Sequence, residues 1–454
     1  MRTTSSALLL LLAASAGAQD THYWNIQYGT RATLLGGAVI GSVTDLSATY
    51  YNPGAVALFE NPGFILSAKV YEHNSLTATN GAGPGRDLSS SSITPSPSFV
   101  AAAFGINLLG AEQIAFSILT RQKMNTQTTT RRIDTFDLLP TVPGEENFAG
   151  GLSFDQNFEE TWVGLTWARK LSSKVGLGLS PYVAYRSQKL RRDILVEVLD
   201  AAGASSSLTD IRTFQYQNYR LLAKAGIGFK LTPLTLGLTV TTPSANVLGK
   251  GSAGSHYFLN GVDLDGDGTI DNQFASDFQE DVKSQYPSSW AMGAGAAYGF
   301  GKMKIHLSAE WFDAVKTVDV LQTQDFIAQS SGDTLTNQLI QELDSVVNFG
   351  LGVDYRSGEK SMISGGFVTD FSASKPSSAA NLNLSTWDIY HISGGATFEL
   401  KKVDITLGLA YSFGSETVQR LFNLSDADEE SLLDAVAETE LKIRRIKFLF
   451  GFNF

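Results

Sequence analysis

The chain contains no cysteine. That excludes disulfides, thiolate metal sites, cysteine nucleophiles and a lipidated N-terminal anchor. Charge is scarce as well: Lys, Arg, Asp and Glu make up 17% of 454 residues, against about 25% in an ordinary soluble domain. The balance is acidic, a formal net −11, so the clustered cations that neutralise nucleic-acid phosphates are missing and no nucleic-acid partner is expected. Long apolar runs are missing too, which excludes membrane-spanning helices of about 20 residues. What the chain does have is 43 glycines, 11% aromatic residues and an ordinary 43% of hydrophobic residues. Disorder, collagen-like repeats and coiled coil do not fit that mixture.

The first residues read as a leader. Arg2 supplies the positive end, residues 7–14 form a short apolar core, and Ala16-Gly17-Ala18 is a small-x-small cleavage site. The expectation is a signal peptide over 1–18, a mature chain from Gln19, and export.

Beyond the leader the dominant pattern is period 2. From Val403 to Phe413 every odd residue is large and apolar and every even one is small or polar. Met303, Ile305, Leu307, Ala309 and Trp311 alternate with Lys304, His306, Ser308 and Glu310, and Leu234, Leu236, Leu238 and Val240 with Thr235, Gly237, Thr239 and Thr241. Ile446, Phe448, Phe450, Phe452 and Phe454 likewise share one face. Successive strand side chains point to opposite faces, so each segment has one greasy and one small or polar face.

The connections decide between a soluble sandwich and a membrane barrel. Fourteen such segments begin near residues 62, 94, 111, 155, 174, 210, 233, 286, 302, 341, 359, 386, 402 and 438. Short links such as Ser172-Ser173, Thr232-Pro233 and Phe300-Gly301 alternate with long ones at 77–93, 128–154, 199–209, 247–285, 319–340, 374–384 and 417–437. Tight turns at one end, long loops at the other and an even strand number predict an all-β, transmembrane antiparallel β-barrel of about 14 strands. Only a closed sheet satisfies strand backbones in lipid. Trp162, Trp167, Tyr182, Tyr185, Trp311, Trp387 and Tyr411 are candidates for its interfacial girdles. Residues 325–343 and 425–440 show helical spacing and are expected as short amphipathic helices in long loops.

Residues 20–61 do not alternate. They hold Gly29-Thr30-Arg31-Ala32, Gly36-Gly37-Ala38 and a run from Asp45 through Tyr50-Tyr51-Asn52-Pro53-Gly54, which suggests short helices and turns. The segment is expected either as a periplasmic extension or as a plug in a lumen wide enough to need one.

Those residues resemble the FadL family of outer-membrane transporters for long-chain fatty acids and other hydrophobic compounds. Asp45, Ser47, Ala48, Asn52 and Pro53 fit the family's hatch pattern, whereas Gly54-Ala55 stands where Ala-Gly is usual. Tyr286-Pro287-Ser288-Ser289-Trp290, the stretch from Asn348 to Arg356, Gly365-Gly366-Phe367 and Ile392-Ser393-Gly394-Gly395 extend the similarity over most of the mature chain. The C-terminal Phe454 resembles the signal read by the barrel-insertion machinery. The resemblance implies a monomeric barrel in the bacterial outer membrane, with an N-terminal hatch over 19–61 inside a wall over 62–454. It implies passive uptake of a hydrophobic small molecule, caught at the outer loops, held in the lumen and released sideways through the wall into outer-membrane lipid. The alternative within the same family is a secretion-system component that presents exported proteins.

One loop carries a metal-like pattern. Asp263, Asp265, Asp267, Thr269 and Asp271 follow the first half of a D-x-D-x-D-G calcium loop, with Gly268 at the bend. Hard Ca²⁺ favours several carboxylate oxygens. Phe274 stands where the closing Glu belongs, leaving Asp277, Glu280 or Asp281 to complete the shell. The bland reading is a solvated acidic turn. His306, Ser308 and Glu310 share one strand face but are expected as polar lumen lining, and no Gly-x-Ser-x-Gly elbow, phosphate loop or paired-histidine metal site occurs. No catalytic residue, enzymatic activity or required cofactor is expected.

Overall fold

The computed structural model describes residues 21–58, 63–104, 110–111, 113–137, 144–263, 268–375, 386–400, 403–419, 424 and 438–453. The leader expected over 1–18 and the helix expected from 425 lie outside those residues, except that 438–440 are strand. In chain order the helices are Thr30–Leu34 (α1), Ala48–Tyr51 (α2) and Pro53–Val56 (α3). The strands are Phe64–Thr79 (β1), Leu88–Phe104 (β2), Gln113–Phe136 (β3), Glu146–Ser172 (β4), Val175–Leu199 (β5), Ser205–Leu231 (β6), Leu234–Thr241 (β7), Ala245–Val262 (β8), Asp271–Lys283 (β9) and Ala291–Phe300 (β10). They continue with Met303–Phe312 (β11), Val315–Leu321 (β12), Phe326–Ile327 (β13), Thr334–Leu335 (β14), Leu339–Leu343 (β15), Val346–Arg356 (β16), Ser361–Asp370 (β17), Ile389–Glu399 (β18), Asp404–Gln419 (β19) and Glu438–Asn453 (β20).

Fourteen of these strands close a ring. The antiparallel pairings run β1 to β7 in order, then β10, β11, β16, β17, β18, β19 and β20. β20 returns to β1 from Ile65↔Asn453 to Thr79↔Glu440. Closure gives every wall strand two partners, which is what lipid demands of a strand's N–H and C=O groups. The outward face is the greasy one: Leu307, Phe349, Leu351, Ile392, Leu407, Leu409, Ile446 and Phe448 are all exposed, while His306, Ser308, Glu310 and Asn348 are buried toward the lumen.

The wall is uneven in height. β10, β11, β16, β17 and β18 have 10 or 11 residues, enough to cross a bilayer and no more. β3, β4, β5 and β6 have 24 to 27. They continue past the membrane by some 15 residues, roughly 50 Å of strand. Much of what the sequence presents as long loops is therefore strand. The loop expected at 247–285 is the β8–β9 hairpin, and β8 pairs with the upper half of β6 from Ser207↔Asn260 to Leu221↔Ala245. β7 occupies the lower half of the same β6 edge, from Lys224↔Thr241 to Leu231↔Leu234. The helix expected at 325–343 is corrected: the segment forms β13, β14 and β15, with Leu339, Gln341 and Leu343 buried at period 2. Backbone pairing of β15 with β12 outweighs a helical spacing that rests on few apolar residues.

Inside the projecting wall the face turns apolar. Phe148, Leu152, Ile194, Val196, Val198, Leu208 and Leu259 pack together there. Below them, Phe154, Leu190, Phe214 and Tyr216 pack against Val320, Leu321 and Leu339 of the β12–β15 hairpin, which folds over the lumen.

Candidate functional site

Residues 21–58 lie within the ring, and the signature residues of the hatch explain their path. Asp45 Oδ1 accepts hydrogen bonds from the Ser47 N–H and hydroxyl, at 2.8 and 2.5 Å, just ahead of α2. Asn52 caps α3: its Oδ1 accepts from the Gly54 N–H at 3.1 Å, and Pro53 occupies the first turn where a missing N–H costs nothing. The Asn52 amide also donates 3.0 Å bonds to the Ile40 carbonyl of the hatch and the Ile227 carbonyl of β6. One side chain thus ties two hatch segments to the wall. Gly54 is pressed between the Gly176 and Gly226 carbonyls, where a Cβ would stand about 2.5 Å from each.

Gly54 belongs to a larger pattern. Wall glycines lie flush against hatch backbone or side chains at Gly178 with Pro53, Gly226 with Asn52, Gly237 with Ile40, Gly295 with Gly41, Gly352 and Gly366 with Leu35, Gly395 and Gly408 with Leu34, and Gly451 with Thr30. These positions run round the ring from β5 to β20. On β2, β3 and β4 the facing lumenal positions are Ala101, Ala115, Ser117, Thr166 and Ala168. Side chains complete the seat. Arg31 pairs with Asp354 at 2.5 Å, Ser42 Oγ lies 2.6 Å from His306 Nδ1, and His306 Nε2 lies 3.1 Å from Asp354. Ser308 accepts from the Ile40 N–H at 3.1 Å, and Glu310 accepts from the Trp24 indole at 2.8 Å. The three polar residues expected as lumen lining are all hatch contacts.

Above the hatch is a charged chamber lined by Tyr23, Tyr50, Arg121, Glu160, Trp162, Arg220, Lys224, Tyr286 and Glu310 among others. Glu160 is met by Arg220 at 2.6 Å and Arg186 at 3.2 Å, and Glu310 by Lys224 at 3.0 Å. Arg121 is different. It is 5% exposed, its guanidinium lies over the rings of Tyr50 and Trp162 at 5.9 and 5.7 Å, and Nη1 has no hydrogen-bond partner among the described residues. Three buried cations and two carboxylates line the chamber, and Arg186 adds a fourth cation behind Glu160, so the chamber holds a positive surplus. Arg121 makes no ion pair of its own and shares Glu160 and Glu310 with the other cations, which makes the site receptive to an anion.

Arg121 also marks a change in the wall. The β3–β4 register shifts between Thr120 and Gln122, a bulge that turns both Arg121 and Gln122 to the lumen. At the same level β2 leaves β3: the two pair only from Phe99↔Leu119 to Phe104↔Ile114. Above that point β2 pairs with β1 and β3 with β4. Across the divergence the described residues make one bond, the Gln127 N–H to Ser90 Oγ at 3.0 Å. Pro95 and Pro97 lie in this part of β2 and have no N–H to offer. The hatch attends the opening, since Tyr28 donates its hydroxyl to the freed Thr120 carbonyl at 3.0 Å. A second pocket opens here, lined by Ile26, Glu72, Leu76, Ser98, Thr120, Lys123, Met124, Trp387, Ile443 and Arg445 among others.

Neither Arg121 nor the chamber was marked by the sequence reading. The available signal was local: a run of four polar residues, Thr120-Arg121-Gln122-Lys123, interrupts an alternating strand. Three girdle candidates are corrected. Trp162, Tyr182 and Trp387 are buried within the barrel, whereas Tyr411 is exposed and Trp167, Tyr185 and Trp311 are half-buried on the outer face. Of the calcium-like residues, Asp265 and Asp267 lie outside the described residues. Asp263 and Asp271 flank the turn between β8 and β9, and Asp263 accepts the Gly268 N–H at 2.8 Å. Asp277 is occupied by Gln279 and Asn337, both at 2.8 Å, and Asp281 by Lys250 at 3.3 Å. No group of three possible ligands converges among the described residues.

No family model matches the chain, and no curated protein matches it in sequence. Solved structures do. A Pseudomonas aeruginosa FadL homologue superposes with a TM-score of 0.54 at 15% identity, over 97% of this chain and 99% of that one. The Pseudomonas putida toluene transporter TodX gives 0.54 at 13% identity, over 96% and 99%. The Ralstonia pickettii toluene transporter TbuX gives 0.53 at 14% identity, over 94% and 98%. The chain has their fold from end to end.

Proposed function

We propose that this protein is an outer-membrane channel that takes up hydrophobic small molecules passively, and that its preferred substrates carry an anionic end, as long-chain fatty acids do. The observation that carries the reading is Arg121: a buried guanidinium with no ion pair of its own and a free Nη1, in a chamber with surplus positive charge, placed where the wall divides. The structural likeness to toluene transporters supports hydrophobic uptake. The cation surplus favours a carboxylate-bearing substrate over a neutral hydrocarbon.

The path follows from the geometry. The apolar interior of the projecting wall offers the first contact for a greasy solute. The chamber below provides a counter-charge for its head, while the seated hatch blocks the way to the periplasm. The second pocket then adjoins the chamber across Thr120–Lys123 and faces the divergence of β2 and β3. Release there delivers the molecule to lipid, where an apolar chain is more stable than in a water-filled pore. No step needs an enzyme or a cofactor.

Binding of oleate and of methyl oleate to detergent-purified protein tests the head-group assignment. A charge-assisted hydrogen bond contributes about 1.5–3 kcal/mol, so the acid is expected to bind at least about tenfold more tightly than the ester. Arg121→Gln should remove most of that difference. Equal affinities in the parent protein would defeat the carboxylate reading.

A further inference from the structure

The short connections share a property that uptake does not use. The six links 105–112, 169–174, 230–233, 300–304, 356–360 and 399–404 contain ten Lys or Arg and four Asp or Glu, a net +6. The whole chain is −11, so everything else carries −17. Residues 105–109, 112, 401 and 402 lie outside the described residues; the described residues of these links hold eight Lys or Arg and three Asp or Glu, so this rim of an acidic protein is basic. Arg169, Lys170, Lys174, Lys230, Lys302 and Lys360 are exposed. None of the six has a side-chain hydrogen bond or ion pair with a described residue.

The cations sit at a defined height. Lys170 adjoins Leu171, Lys230 adjoins Leu231, and Lys302 lies between Phe300 and Met303, and these four apolar residues are all exposed on the outer face. The charges therefore border the greasy belt, where flexible stems can follow apolar surface while the ammonium reaches the headgroup layer. Short turns face the periplasm.

We infer that this rim binds the anionic phospholipid headgroups of the periplasm-facing leaflet, holding a shell of such lipids around the barrel. Charge complementarity at the membrane surface, concentrated in one plane and in excess of the few carboxylates there, selects that occupant. The inference rests on the barrel and its orientation and is independent of what the channel carries.

Electron spin resonance of spin-labelled phosphatidylglycerol and phosphatidylcholine, with the full chain in phosphatidylcholine vesicles, tests it. The parent protein should retain phosphatidylglycerol about threefold more strongly at low salt, and roughly 0.5 M salt should abolish the preference. Lys170→Gln/Lys174→Gln/Lys302→Gln/Lys360→Gln should bring the ratio to one. Lys189→Gln/Arg191→Gln, on the outer face of the projecting part of β5, should leave it unchanged. No preference in the parent protein overturns the inference and would turn attention to an acidic periplasmic protein, and so does a preference that survives high salt. A preference that survives the quadruple substitution, or is lost in the control pair, also overturns it. Orientation is checked separately. Because the chain has no native cysteine, Ser173→Cys provides a unique label, and its modification by an impermeant maleimide in intact cells would overturn the assigned leaflet.

Discussion

Asn52 shows how much one residue can settle. Its amide bonds to Ile40 and Ile227 and its carbonyl oxygen caps α3, so truncation leaves two carbonyls and one N–H without that partner. Asn52→Ala should loosen the hatch by about 1–3 kcal/mol, read as faster proteolysis within residues 21–58 of a barrel that still folds. Unchanged proteolysis would mean that the glycine contacts alone hold the seat. Gly41 tests those contacts. Its Cβ would overlap the Gly295 carbonyl, backbone that cannot yield as a flexible side chain can. Gly41→Val should unseat the hatch locally and sensitise cells to large antibiotics, and normal resistance would show that β10 can move aside.

At the scale of elements, the decisive feature is the parting of β2 from β3. The two edges are joined by the Gln127–Ser90 bond, and the chain has no cysteine of its own. A Ser90→Cys/Gln127→Cys pair should therefore form one clean crosslink. Oxidation should stop uptake and reductant should restore it; uptake through the oxidised barrel would place the exit elsewhere. The β8–β9 turn is a separate element with its own test. We propose that Asp263, Asp265, Asp267, Thr269 and Asp271 bind Ca²⁺ and stiffen that hairpin, with Asp277 and Asp281 playing no part because they are already engaged. Calorimetry should give a Ca²⁺ binding heat that Asp265→Ala removes. Identical absent heats would leave an acidic turn.

For the molecule as a whole, the ring and the hatch divide the work. Nine wall strands present glycine to the hatch, while β2 to β4 present Ala, Ser or Thr and β11 presents Ser308, so the contact is closest away from the wall opening and most relaxed beside it. Deleting residues 20–55 should leave a folded ring of fourteen strands with an open lumen, and single-channel conductance in planar bilayers should rise sharply. Conductance equal to that of the intact protein would contradict a plug.

Strand number and face were determined by the sequence because a bilayer imposes period 2 directly on side-chain choice. Leu307 and His306 are told apart by parity alone. The same parity could have corrected the aromatic girdle, for Trp162 and Trp167, or Tyr182 and Tyr185, cannot point to one side of a regular strand. The projecting parts of β3 and β4 were not legible. With no lipid on the outer face and mixed packing within, residues such as Thr128, Thr129 and Thr130 carry no alternating signal, and their strand character comes from pairing with β4. The chamber was decided by tertiary structure alone. Arg121 joins residues as distant as Tyr50, Glu160 and Glu310 only because fourteen strands close on themselves, and no local spacing records a distance set by that closure.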